Sequence, residues 1–164
     1  MHQINTALGL VQAAFDAEAA VIYLGFADHE FRAPLLAKLA RLDPALRPDA
    51  LAVARLREQL DAYARGRLQA FDLPFRLHGS PFEQRVWVAL QRIPFGETRS
   101  YGQLAKALGD LNLSRAVGRA NGANPVSILV PCHRVIGANG TLTGYAGGLA
   151  MKERLLRLEG GLRD

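Results

Sequence analysis

Cysteine is almost missing from this chain of 164 residues; the one present is Cys132. A single thiol excludes any disulfide within the chain and any zinc site built from several cysteines. A free thiol also fits a reducing compartment, so a cytoplasmic location is expected. No other motif asks for a metal or a cofactor, and none is expected. Long hydrophobic runs are missing too: none approaches the ~18 apolar residues of a membrane span, so no membrane partner is expected. The opening stretch MHQINTALGLVQAAFDAEAA has no basic segment ahead of an apolar core, and no signal peptide is read there. Internal repeats and low-complexity tracts are absent.

What remains is an ordinary folded composition. Apolar residues make up 49% and charged residues 21%, enough for a packed core and against disorder. The length suits one domain, or a domain with a small companion. The net charge of +5 is unevenly placed. Residues 1–75 carry 8 Lys/Arg and 9 Asp/Glu, a balance of −1, whereas residues 76–164 carry 12 and 6, a balance of +6. The basic excess lies in the half that holds Cys132, which favours a polyanionic partner for that half.

Along the first half, ALGLVQAAF (7–15) and AVIYLGFA (20–27) read as two strands joined by a turn around Asp16–Glu18. HEFRAPLLAKLARL (29–42) reads as a helix limited early by Pro34, and Pro44 and Pro48 then break the chain. The clearest helix is 49–66, with Val53, Leu56, Leu60 and Tyr63 on one face, Asp49 as its N-cap and Gly66 as its stop. Residues 71–81 read as a short strand and then a linker, with a domain boundary between 75 and 76. The second half is mostly helical. A helix over 81–93 carries Phe82, Val86 and Leu90 at four-residue spacing, with Trp87 read as core. Ser100 caps a short helix ended by Gly109, and Ser114 opens a small-residue helix over 114–124. This is a helix-turn-helix outline. An Asn-Gly turn within 138–148 predicts a hairpin that would form a wing, and an amphipathic helix over 149–160 closes the chain. The expected fold is thus an α/β N-terminal domain followed by a mostly α-helical, winged-helix-like domain.

The one thiol stands in VPCHRVIG (130–137), between Pro131 and His133. A thiol becomes a nucleophile when an imidazole, a cation or a helix N-terminus favours its thiolate. On a strand, neighbouring side chains point to opposite faces, so adjacency in sequence does not give contact; a tight turn or a helix start after Pro131 would bring Cys132 and His133 together. A histidine acting as base needs an acidic orienter, and Glu153 and Glu159 on the last helix are both candidates.

NPVSILVPCHRVIGANGTLTGYAGG closely resembles the active-site segment of the O6-alkylguanine-DNA alkyltransferases, whose signature is PCHRV. SPFEQRVWVALQRIPFGETRSYGQLAKALG is similar to that family's helix-turn-helix, SRAVGRANGANP to its recognition helix, and KERLLRLEG to its closing helix. DAYARGRLQAFDLP resembles the end of its less uniform N-terminal domain. Five motifs in order make the resemblance specific from about residue 50 onward.

The resemblance implies DNA repair by direct, irreversible transfer of an alkyl group from O6 of guanine to Cys132, with O4-alkylthymine as a second candidate lesion. It assigns His133 as base through a bridging water, Glu159 as the group that holds the imidazole, and Asn124 as a residue that fixes the active-site segment. Tyr101 would hydrogen-bond the leaving guanine as the C–O bond breaks. Arg115 would fill the gap left by a rotated-out nucleotide, with Ser114, Ala116 and Gly118 beside it on a helix that approaches the minor groove. Val135 and Cys132 carbonyls would accept from the guanine amino group, and Tyr145, Ala146, Gly147 and Gly148 would line the O6 side. The N-terminal domain would be ribonuclease-H-like and supporting. The partner would be alkylated double-stranded DNA, bound modestly and in a salt-sensitive way. A monomer suffices, and assembly of copies along DNA is left open. The product would be a thioether, which no second thiol is present to cleave, so one turnover per molecule is expected.

The chain departs from the family pattern at DLNLS (110–114), where a proline and small alanines usually precede the arginine, and at Ala146, where some members carry serine. Three other readings compete. A lesion sensor without chemistry would not need Cys132, His133 and Glu159. A winged-helix regulator would be poorly served by a small-residue recognition helix. A Cys-His-acid hydrolase would need neither Arg115 nor a basic half.

Overall fold

The computed structural model describes residues 2–27, 33–42 and 50–162. The chain divides into two compact units, 1–78 and 79–164.

The first unit is built on an antiparallel meander of β1 (His2–Thr6), β2 (Gly9–Phe15) and β3 (Val21–Phe26). The sequence reading found the second and third strands and missed β1. HQINT is polar apart from one residue, and only Ile4 in it is buried, so neither alternation nor an apolar run announces it. A two-residue loop, Ala7–Leu8, joins β1 to β2, with Thr6 paired opposite Gly9. Every residue of β3 is buried, as expected for a strand covered on both faces. The turn before it is held by Asp16, whose Oδ1 accepts from the amides of Glu18 at 2.9 Å and Ala20 at 3.0 Å. This side-chain cap lets Ala19 take a positive φ of 64°.

Two helices follow, α1 (Ala33–Leu42) and α2 (Ala50–Ala64). Leu39 of α1 packs with Ala14, Ile22 and Tyr23. In α2 the buried residues are Leu56, Leu60 and Tyr63, with Val53 half-buried beside them. Gly66, at φ 74°, ends α2: the Gly66 amide donates to Tyr63 O and that of Arg67 to Ala62 O. The expected N-cap Asp49, the breaks at Pro44 and Pro48 and the start of the 29–42 helix lie outside the described residues. The expected strand within 71–81 does not form. Phe75 makes a single bridge to Val21, because Pro74 donates no ladder hydrogen bond and confines the pairing to one position.

The second unit is helical. Ser80 and Glu83 form a reciprocal capping box that starts α3 (Pro81–Gln91), with proline in the first turn where no amide is needed. Val86, Trp87 and Leu90 are buried, and the Trp87 indole donates to Ala120 O at 2.8 Å, tying α3 to a later helix. Ser100 and Gln103 repeat the capping box at α4 (Tyr101–Ala107). A 3-10 turn, 111–113, capped by Asp110, then leads into α5 (Ser114–Gly122). Ser114 is the first helical residue of α5, and its hydroxyl donates back to Leu111 O at 2.8 Å. It opens the helix by position without capping an amide. Two very short strands, β4 (Arg99–Ser100) and β5 (Val135–Ile136), pair in parallel, and α6 (Leu149–Glu159) ends at the left-handed Gly160.

The expected hairpin over 138–148 is corrected. The Asn-Gly turn is there, closed by Gly137 N to Thr141 O at 2.8 Å, but no strand pair extends from it. Asn139 Oδ1 accepts from both the amide and the hydroxyl of Thr141. The residue after the turn is thereby spent on a local side-chain bond. No helix among the described residues is long and apolar enough to cross a membrane.

Candidate active site

The approach to the thiol is a strained turn. Ile128, buried and β-branched, adopts φ 73°, a conformation that costs such a residue energy and persists only where its surroundings impose it. Asn124 helps impose it: its amide nitrogen donates to Val130 O at 2.8 Å, its oxygen accepts from Val126 N at 3.0 Å, and Val130 N reaches Val126 O at 3.0 Å. Asn124 therefore pins both ends of the loop that delivers Pro131.

After Pro131 the chain forms a single 3-10 turn, Cys132–Arg134. A tight turn after Pro131 is thus present, one of the two local forms that the sequence reading allowed. Its three residues are nearly or fully buried, Cys132 at 3% exposure and His133 at 0%. His133 Nε2 lies 2.8 Å from Glu159 Oε2 of α6. Arg134 grips the same carboxylate with two nitrogens, Nε to Oε1 at 2.8 Å and Nη2 to Oε2 at 3.0 Å. It also donates to Ile93 O at 2.7 Å and stands 5.8 Å from the Phe95 ring centre. The other acidic candidate, Glu153, pairs with Arg157 on the surface of α6.

This geometry fixes the protonation pattern. A carboxylate held bidentate by a guanidinium stays ionised, so His133 donates Nε2–H to Glu159. The other ring nitrogen, Nδ1, then carries the lone pair, and it is buried without a hydrogen-bond partner. Burial is the main cause that lowers the His133 pKa below the ordinary 6.5; Glu159 opposes the shift, and Arg134 and Lys152 add to it. The imidazole is therefore neutral at pH 7, with its basic nitrogen uncommitted.

Lys152 is a second cation in this interior, with no exposed surface. Its ammonium donates to Val135 O at 2.5 Å and to Thr143 O at 2.6 Å. It thus ties the strand after the cysteine turn to the segment leading into Tyr145. Burial lowers its pKa to about 8, and Cys132 acts in the opposite direction. Asn121 Nδ2 donates to Cys132 O at 3.3 Å from the buried end of α5.

The remaining expected residues fall in two groups. Tyr101, at the start of α4, exchanges 3.3 Å hydrogen bonds with Thr143, accepting from its hydroxyl and donating to its carbonyl. Its ring lies 3.8 Å from where a Cβ on Gly118 would sit, and its hydroxyl 3.9 Å from a Cβ on Gly144. Glycine at 118 therefore lets α5 pass close to the tyrosine. Val135 is buried, and Tyr145, Ala146, Gly147 and Gly148 form a half-buried turn closed by Gly148 N to Tyr145 O at 2.9 Å. Arg115 is exposed on the first turn of α5, with Ser114, Ala116 and Gly118 half-buried around it.

Sequence reasoning missed Arg134, Lys152 and Asn121. A signal existed for Lys152. Together with Leu155, Leu156 and Glu159 it completes the buried face of α6 at helical spacing, so a cation on an apolar stripe was visible.

The chain is similar to known proteins along most of its length. Residues 81–161 match the family model of the 6-O-methylguanine DNA methyltransferase DNA-binding domain. A methylated-DNA–protein-cysteine methyltransferase of Mycolicibacterium paratuberculosis is 52% identical over 135 residues, which cover 78% of this chain and 82% of that one. One from Methanosarcina acetivorans is 59% identical over 102 residues, covering 62% and 65%. Among solved structures, OGT of Mycobacterium tuberculosis in complex with DNA superposes with a TM-score of 0.82 at 42% identity, covering 96% of this chain and 91% of that one. The O6-methylguanine-DNA methyltransferase of Pyrococcus kodakaraensis gives 0.65 at 28%, covering 92% and 91%.

Proposed function

This chain belongs to the methylated-DNA–protein-cysteine methyltransferase family, and from that premise we propose that Cys132 is the acceptor of the alkyl group in a direct repair of O6-alkylguanine in duplex DNA. The observation that carries the assignment is the buried cluster running from the Cys132 turn through His133 to Glu159 and Arg134.

The neutral imidazole takes the thiol proton at Nδ1 through one water, and Glu159, kept anionic by Arg134, stabilises the imidazolium that forms. The thiolate sulfur attacks the alkyl carbon. An S–C bond forms as the C–O6 bond breaks, and its electron pair leaves with guanine. The Tyr101 hydroxyl, now bonded to Thr143, turns to a ring nitrogen of the base and disperses that charge. The imidazolium returns its proton, and the departing base ends as neutral guanine. The product is a thioether on Cys132, so each molecule reacts once.

Inside a duplex, O6 is out of reach of a buried thiol, so the nucleotide rotates out of the stack. Arg115, exposed on the first turn of α5, fills the gap, and Ala116 and Gly118 permit close approach to the minor groove. The turn at 145–148 borders the O6 side, and Val135 O faces the guanine amino group while also holding Lys152. Unit 1 supports the active unit in a ribonuclease-H-like arrangement. Unit 2 is winged-helix-like, with the loop 137–148 in the place of a wing. The protein works as a monomer in the cytoplasm.

The test is intact mass after incubation with duplex DNA carrying O6-methylguanine. The expected result is one added methyl, mapped to Cys132 and absent in Cys132→Ser. Tight binding to the same DNA with no change in mass would replace repair by lesion sensing.

A further inference from the structure

A second concave site lies away from the thiol, between α3 and α4. It is a groove of about 350 Å³. Its apolar wall is made by Val88, Ile93, Leu104 and Leu108, and Val88 is 45% exposed there. Arg85, Arg92 and Arg99 stand around it, and among the described residues no carboxylate lines it, although Glu97 pairs with Arg99 at the rim. Neither Arg115 nor Tyr101 takes part, so the mechanism above leaves this groove unused.

The three guanidinium groups are differently engaged. Arg85 donates one nitrogen to Leu108 O at 3.0 Å, which aims the rest of its planar fork outward. Arg99 pairs at 3.1 Å with Glu97, and both side chains are exposed, so that bond is weak and exchangeable. The Arg92 guanidinium has no hydrogen-bond or ion-pair partner among the described residues, and its side chain is exposed. Glu97 thus already shows what the rim accepts, a carboxylate.

We propose that the α3–α4 groove is a docking site for an acidic peptide segment of a partner protein, one that inserts a large apolar side chain between flanking carboxylates. The two halves of the site select this class. An arginine rim alone would suit a phosphodiester backbone, but a duplex presents a convex row of phosphates and no apolar knob to fill a pocket around Val88. An apolar pocket alone would suit any exposed hydrophobic side chain, and the rim then restricts it to segments rich in aspartate or glutamate. A peptide anchored by one side chain in a pocket and steered by rim charges fits a surface of this size. The site leaves the α5 face free, so a partner held here can bring the protein to DNA without competing with it.

The experiment uses the full chain and fluorescence anisotropy of a fluorescein-labelled peptide with two aspartates on each side of an isoleucine–phenylalanine pair. Saturable binding is expected, weakened about tenfold or more by Arg92→Glu and equally by Val88→Asp. It should fall similarly when alanines replace the two apolar residues of the peptide. Neither substitution touches the transfer residues, so an unchanged rate of methyl transfer certifies the fold of each variant. The proposal is overturned if no saturable binding occurs up to about 1 mM. It is also overturned if Val88→Asp and the alanine peptide bind as before, since the rim would then attract any polyanion. A loss of duplex affinity in both variants, with peptide binding intact, would reassign the groove to DNA.

Discussion

Two arginines in this protein do the same thing in opposite surroundings. Arg76, in the first unit, reaches Asp16 at 2.6 Å and Glu18 at 2.5 Å, with about half of its own side chain exposed and Glu18 largely so. Arg134, in the second unit, grips Glu159 while His133 shares the carboxylate, and this cluster is almost wholly buried. The half-exposed cluster serves the meander, where the same Asp16 holds the turn before β3 by two backbone amides. The buried cluster serves nothing that packing alone requires. Apolar residues would fill that volume at less cost, because desolvating ions is expensive even when they are paired. The difference is what supports the proposed site: charge taken out of water where apolar residues would pack at less cost marks a candidate reacting centre.

The largest effect that would test this contrast comes from Glu159→Gln. The variant keeps the shape but leaves Arg134 buried without its counter-charge, and a stability loss of about 3–5 kcal/mol is expected in urea unfolding. Methyl transfer should fall as well, since nothing then stabilises the imidazolium of His133. The sharper form is the double variant Arg134→Met with Glu159→Gln. Removing both charges together should recover most of the stability and none of the lost transfer. Recovery of both would make the cluster structural and erase its contrast with Arg76.

The next effect is on pH dependence. Burial holds the His133 pKa below 6.5, with Arg134 and Lys152 acting in the same direction and Glu159 against. The folded protein thus binds fewer protons at this site than the unfolded chain in the window below pH 6.5. Stability from this group is present above 6.5 and is lost as the pH falls through the lower, folded pKa. The transfer rate follows the neutral imidazole, so with Lys152, lowered to about 8, still charged, it should stay level from about pH 7 down to 6.5 and decline only below it. Single-turnover rates across that range provide the check. A decline already centred at 6.5 would mean an imidazole no more perturbed than one at the surface.

Much of this was legible in the sequence, for identifiable reasons. The helices α3, α4 and α6 carry their own signals: apolar spacing, Ser100 as a cap and glycine just past the last turn. The thiol and its imidazole stood out because Cys132 is alone and the string around it is specific. What could not be read was long-range. The pairing of His133 with Glu159 was implied by the resemblance alone; that Arg134 shares the same carboxylate depends on how α6 docks against the cysteine turn, and no local pattern encodes it. β1 was invisible because its stability comes from pairing with β2 more than from its own apolar content. The absent hairpin at 138–148 errs the other way. Asn-Gly announced a turn correctly, but with Asn139 bonded to Thr141 and no partner strand available, the turn ends where it starts.

The smallest expected effect is that of Arg76→Ala, and its smallness is the point. Glu18 is highly exposed, so its bond to Arg76 competes with water and salt and contributes little. Asp16 is buried but keeps two backbone donors when the guanidinium is gone, so its charge is not abandoned as that of Arg134 would be. The loss should be about 1 kcal/mol or less at low salt, shrinking further near 1 M salt, where screening acts over only about 3 Å. The methyl transfer rate should not change. Urea unfolding at two salt concentrations, beside the single-turnover rate, measures all three expectations. A loss as large as that of Glu159→Gln, insensitive to salt, would mean that Arg76 is desolvated in solution and that burial does not separate the two clusters.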